Sequence, residues 1–124
     1  MRTWVIIISI FVVLSLLVFA ESIVVNKFCT EMEQTLEVID EKILSDNLSE
    51  NDLASLTKVW DNNKIFVFAL SNHNSFAEFE KHINNLYYYS EVFNKEQLCY
   101  SVWCLKKANE LVKVTSSCSF ENIF

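Results

Sequence analysis

From Trp4 to Ala20 the chain reads WVIIISIFVVLSLLVFA, with no charge and only the hydroxyls of Ser9 and Ser15 as side-chain polar groups besides the indole. A helix rises about 1.5 Å per residue, so this stretch covers roughly 25 Å of a bilayer core about 30 Å thick. Continuing through Ser22, Ile23, Val24 and Val25 supplies the missing length and leaves Glu21 near the outer edge. Thirteen of the seventeen residues are Val, Ile, Leu or Phe. At about −0.3 to −0.6 kcal/mol each, insertion gains roughly −4 to −8 kcal/mol. The pattern predicts a transmembrane anchor over residues 1–25, with membrane lipid as the partner of residues 4–25. The alternative is a signal peptide cleaved after Ala20, because Val18-Phe19-Ala20 has the small-x-small form. Against cleavage, Arg2 is the only basic residue before the apolar run, and apolarity resumes at Ile23. The amino terminus and Arg2 on one flank place the N-terminus in the cytoplasm and the rest of the chain outside.

After the anchor the pattern becomes periodic. Val25, Cys29, Met32, Leu36, Ile39 and Ile43 recur at spacings of four and three, a heptad seam with Glu and Lys on the other faces. The anchor helix is therefore predicted to continue to about Leu44. Residues 45–49 read as a loop, and Ser49 with Asp52 resembles a capping box that starts a second helix. That helix carries Leu53, Leu56, Trp60, Val67 and Leu70, with Asn62 and Asn63 interrupting it and Ile65–Leu70 expected as a buried helical turn. Ser71–Asn74 ends it, and Ser75 is expected to cap the third helix. Phe76, Phe79, Ile83, Leu86, Ser90 and Phe93 form the third stripe. Asn94 and Lys95 turn the chain into a fourth helix with Leu98, Val102, Leu105, Ala108 and Val112 inward and Trp103 beside them. The bundle is expected over residues 26–116, with a C-terminal tail over 117–124.

Glycine and proline are both absent. Without them tight turns with positive φ and helix kinks are disfavoured, which strengthens the helical reading. The net charge of −6 excludes a nucleic-acid partner, since phosphate binding needs a basic patch. It also argues against broad adsorption onto anionic lipid. Cys29, Cys99, Cys104 and Cys118 have no metal-binding spacing. Cys99 and Cys104, five apart on one helix, are too distant for a disulfide. The four read as small apolar core residues that happen to be thiols, with Cys118 able to reach the others only if the chain end folds back.

Candidate chemistry is sparse. Glu78 and His82 are spaced i, i+4 and share a helix face, but two ligands do not make a metal site. His82 is expected to be solvated, and His73 to lie at a helix end where its cation would favour the dipole. Ser117, Cys118 and Ser119 have no histidine nearby in sequence. No catalytic motif is visible, no cofactor is expected, and the chain is read as a non-enzyme. Glu31, Glu33, Glu37, Asp40 and Glu41 read as a solvated face rather than a cation site. Trp60, Phe66, Phe68, Phe76, Phe79, Phe93 and Trp103 are expected in the core. Tyr87, Tyr88 and Tyr89 are successive and cannot all face it; they are the candidate interaction surface, because tyrosine is enriched at interfaces.

The apolar N-terminal helix, Trp60 on a helix, Leu70 with His73 shortly after, the third helix, and the close Asn122-Ile123-Phe124 together resemble domain-of-unknown-function family 4363. That family comprises small membrane-anchored helical proteins of low-GC Gram-positive bacteria, and the resemblance implies location and helical fold. The chain departs from its pattern in the Asn-rich and Tyr-rich surfaces and the four cysteines. The expected fold is all-α, an N-terminal transmembrane helix continuing into a small antiparallel helical bundle. The expected function is a membrane-anchored interaction module that binds another membrane protein or itself. The alternative is a small-ligand or metal binder, which predicts a cavity among Trp60, Phe66, Phe76 and Trp103.

Overall fold

The computed structural model describes the backbone of residues 1–70 and 73–123 and the side chains of residues 1–69 and 74–114. It contains four helices, α1 (Arg2–Leu44), α2 (Glu50–Leu70), α3 (His73–Glu91) and α4 (Lys95–Ile123). No strand occurs among the described residues, and the fold is all-α. Each helix packs on its sequence neighbours, and α4 returns to pack on α1, which closes an up-down-up-down bundle.

α1 is one unbroken helix of 43 residues with two environments. Its first part is apolar and exposed, and it is long and apolar enough to cross a membrane. Its second part buries the predicted heptad, Val25, Cys29, Met32, Leu36, Ile39 and Ile43, together with Phe28. The absence of proline leaves nothing to break the helix where one environment gives way to the other. α4 answers with Leu98, Val102, Leu105, Ala108 and Val112, all buried, while α2 contributes Leu53, Leu56, Trp60 and Val67 and α3 Phe79, Ile83 and Leu86.

The two turns at the far end of the bundle solve a glycine-free problem in the same way. After α1, the N–H of Asn47 donates to the carbonyl of Lys42 (2.8 Å) and that of Asp46 to Ile43 (3.2 Å), with Asp46 at φ 59°. After α3, the N–H of Asn94 donates to the carbonyl of Tyr89 (3.1 Å), with Phe93 at φ 55°. Both are Schellman closures, which normally place glycine in the left-handed position. Aspartate tolerates that conformation, whereas phenylalanine costs about 1–2 kcal/mol there. Phe93 is also 91 % exposed, so its ring recovers little by packing. Phe93→Gly should therefore raise stability by about 0.5–1 kcal/mol after the loss of glycine's unfolded-state entropy. An unchanged or lower urea midpoint at constant slope would show that the ring contributes more than its exposure suggests.

Asn94 then caps α4, accepting from the N–H of Gln97 through Oδ1 (3.2 Å). At the start of α2, Asp52 reaches back to the N–H of Ser49 (3.0 Å), as the capping box requires. The Ser49 hydroxyl donates to the same carboxylate (3.0 Å) instead of accepting from the helix.

Several local expectations are corrected. Ser75 is a buried residue inside α3 rather than its cap, because the helix already begins at His73. Asn62 and Asn63 do not interrupt α2; Asn63 Nδ2 donates to the Val59 carbonyl one turn back (2.8 Å) and the helix continues. Among the described side chains of the run Ile65–Leu70, Val67 is buried, while Ile65, Phe66 and Phe68 are exposed. Phe93 leaves the third stripe because α3 has ended before it. The backbone of 117–123, expected as a tail, continues α4 to Ile123.

Candidate functional site

The aromatic residues separate into an inner and an outer set. Inside, the Trp60 ring stacks on Phe79 at 4.8 Å and packs against Phe76 at 5.3 Å and Phe28 at 6.2 Å. Its indole N–H donates to Glu80 Oε1 at 2.7 Å, so the one polar atom of the ring is satisfied at the edge of the core. This cluster ties α1, α2 and α3 together.

The outer set lies on α3 and α4. Tyr100 and Trp103 are stacked at 6.2 Å with 22° between their planes, and both are more than half exposed. Lys107 Nζ stands 5.7 Å from the centre of the Trp103 ring, a cation–π geometry. Tyr100 meets His82 edge-on at 6.4 Å, and a hydrogen bond with the Cys104 side chain holds the Tyr100 hydroxyl above the ordinary phenol range. On α3, Tyr88 is 60 % exposed and edge-packed on Tyr89 at 5.1 Å, while Tyr89 leans on the core. Tyr87 shares a 2.7 Å hydrogen bond with the Thr57 hydroxyl of α2. The tyrosine triplet thus points three ways, with Tyr88 the most exposed.

Trp103, Phe66, Phe68 and Phe93 were expected in the core and are not there. Trp60 and Phe76 are packed together, whereas Phe66 and Trp103 lie exposed on α2 and α4, which do not adjoin. The cavity that a small-ligand reading predicted among these four side chains is not formed. Tyr100 and Lys107 were missed by the sequence reading. Their signal was a second run on α4, Tyr100, Trp103, Lys107, Leu111 and Val114, at spacings of three and four on the face opposite the core.

His82 corrects another expectation. It is buried, not solvated, and its Nε2 is 2.9 Å from Glu78 Oε2. Its Nδ1 is buried and finds no partner among the described residues. No third His, Cys, Asp or Glu joins the pair in a metal-binding group among the described residues. Of the acidic run on α1, Glu33, Glu37 and Glu41 are exposed, and Asp40 meets Lys106 at 3.5 Å. The side chains of Leu70, His73, Asn122 and Ile123, and all of Phe124, lie outside the described residues.

Cys29, Cys99 and Cys104 are free thiols; Cys118 lies outside the described side chains. Cys29 is fully buried beside Asn109, whose Nδ2 donates to the Cys29 carbonyl at 2.9 Å. This bond fixes the register of α1 against α4. Burial pushes the Cys29 thiol up from 9.0 to about 11. The folded state thus resists losing this proton while the unfolded chain does not. The stabilising contribution is complete below pH 9 and is lost as pH rises toward 11, by at most about 2–3 kcal/mol. Cys29→Ala should abolish that part of the alkaline stability loss; an identical alkaline profile in wild type and variant would show that the thiol does not titrate on unfolding.

Comparison with known proteins adds one match. The model of a protein family described as a domain of unknown function, DUF4363, matches residues 19–123, most of the chain. No curated protein and no solved structure matches.

Proposed function

The chain belongs to the domain-of-unknown-function family DUF4363, and from that premise we propose that it is a membrane-tethered interaction module. α1 is its anchor and rigid stalk, holding the bundle at the outer face of the cell membrane. The outer faces of α3 and α4 are its recognition surface, toward another membrane protein or a second copy of the chain.

One observation carries this reading. The Tyr100–Trp103 stack, with Lys107 over it, remains exposed although the core is complete without it. Tryptophan and tyrosine are among the side chains most enriched at the energetic centre of protein interfaces. Tyr88 on the adjoining helix is a further aromatic ring left exposed on the outside of the bundle.

Crosslinking in native membranes, followed by mass spectrometry, tests the reading. Wild type should give a discrete crosslinked species, whether with itself or with another membrane protein. The Tyr88→Ala, Trp103→Ala double variant should lose most of it at unchanged expression and helicity, since truncating an aromatic hot spot costs about 2 kcal/mol or more. A crosslink pattern indifferent to both substitutions would remove the surface from the proposal.

A further inference from the structure

The bare part of α1 is shorter than the apolar run. One face of the helix is already half-covered at Ser15, Val18, Ser22 and Val24, before the first fully buried residue, Val25. Only the part up to Leu14 is exposed on every side. From Trp4 that is roughly 16 Å of helix, against about 30 Å of hydrocarbon in a bilayer. A helix that crosses the bilayer while wrapped this far down must carry the lower end of its bundle into the lipid.

That lower end carries exposed apolar side chains on two helices, among exposed polar ones such as Asp61, Asn62, Asn74 and Glu110. The level of each helix is fixed by two contacts, Trp60 against Phe28 (6.2 Å) and Asn109 against the Cys29 carbonyl (2.9 Å). On α2, Ile65 and Phe66 lie one to two turns beyond Trp60 toward the span, about 8–9 Å. On α4, Leu111 and Val114 lie about 3–8 Å beyond Asn109 in the same direction. Ile65 is 74 % exposed, Phe66 48 %, Leu111 61 % and Val114 57 %. Because α2 and α4 are diagonal in the bundle, these side chains form a collar on two sides rather than a patch on one.

At the collar end Lys27, Lys64 and Lys113 balance Glu21, Asp61 and Glu110, with Lys64 paired to Asp61 at 3.4 Å. The opposite end is net acidic, with Asp46, Glu50, Asp52, Glu91 and Glu96 against Lys42 and Lys95. Lysines at this level can bury their alkyl stems and hold their ammonium groups at headgroup phosphates, while the acidic end is kept away from an anionic surface.

We propose that this collar is seated in the interfacial layer of the bilayer that α1 crosses, with Ile65, Phe66, Leu111 and Val114 against acyl chains. The inference rests on the anchor reading and extends it, because it makes the bundle itself a lipid-contacting body. An interfacial apolar surface of this kind enters about 5–10 Å into the headgroup and acyl boundary.

The test uses the full chain reconstituted in phosphatidylcholine–phosphatidylglycerol vesicles, with and without lipid brominated near the top of the acyl chains. Phe66→Trp, Leu111→Trp and the far-end control Val38→Trp are each placed in a Trp4→Phe, Trp103→Phe background that retains buried Trp60. A chain keeping Trp4 reports on the anchor alone. The added emission of Phe66→Trp and of Leu111→Trp should be mostly lost on brominated lipid and should resist aqueous iodide, while Val38→Trp should do the reverse. The two reporters stand on different helices, so misfolding of one leaves the other to decide. If Trp4 is quenched but both collar reporters behave like Val38→Trp, the collar proposal is overturned and the anchor stands. If Trp4 is itself unquenched, the anchor reading falls and the collar with it.

Discussion

Trp60→Ala should cost the bundle roughly 3–5 kcal/mol, the range for truncating a fully buried large aromatic. The ring is 2 % exposed and touches Phe28, Phe76 and Phe79, so its removal opens a hole where three helices meet. The hole is bordered by rigid rings that cannot collapse into it without leaving their rotamers. A bundle of this size has only about 5–15 kcal/mol of total stability, so the variant should melt far below wild type or fail to accumulate. Trp60→Phe separates packing from polarity. It keeps a ring against Phe79 and loses the 2.7 Å bond to Glu80, a half-buried group that water can reach. It should therefore cost well under half as much. Urea titration of the detergent-solubilised chain, followed by far-ultraviolet circular dichroism, measures both. Equal losses for the two variants would locate the stabilisation in the hydrogen bond rather than the aromatic cluster.

The second large effect concerns membrane association. Ile10→Arg with Leu14→Arg places two guanidinium groups in the exposed apolar part of α1, where both native side chains are more than half exposed. Each arginine costs about 2.5–3.5 kcal/mol near a bilayer centre and also forfeits the favourable term of the residue it replaces. The total, about 5–8 kcal/mol, cancels the insertion gain of roughly 4–8 kcal/mol estimated for the whole stretch. The double variant should move from the alkali-resistant membrane pellet to the soluble fraction. Its bundle should stay folded, because neither position packs on the other helices. A variant that remains in the pellet, or a wild type that washes off, would show that this stretch is not what holds the chain to lipid.

The heptad of α1 from Val25 to Ile43 and the buried stripe of α4 from Leu98 to Val112 were both legible as spacings. A helix with one apolar stripe has only one face to bury, so periodicity and burial coincide. The aromatics were a different case. The inward stripe of α4 was read correctly, but a second stripe from Tyr100 to Val114 lies on the opposite face, and Trp103 belongs to it rather than to the core. The exposure of Ile65, Phe66 and Phe68 was hidden because a continuous apolar run has no period from which to read an outer face. Phe93 was misplaced because the end of α3 is set by a backbone turn, and the expected glycine signal cannot exist in a chain with no glycine. His82 was misread for a related reason. It sits between Lys81 and the core residue Ile83, and its burial involves α4, whose Tyr100 meets it edge-on.

The order of residues alone determined four helices, an apolar leading segment and the inner seam that joins the first helix to the last. These follow from local propensity and from the 3.6-residue repeat, which any helix obeys wherever it is packed. Tertiary structure decided how far down the leading helix the bundle descends and which aromatic rings were left outside. Those outcomes depend on contacts between residues distant in sequence, such as Cys29 with Asn109 and Trp60 with Glu80. A one-dimensional repeat carries no information about which distant surface will cover it.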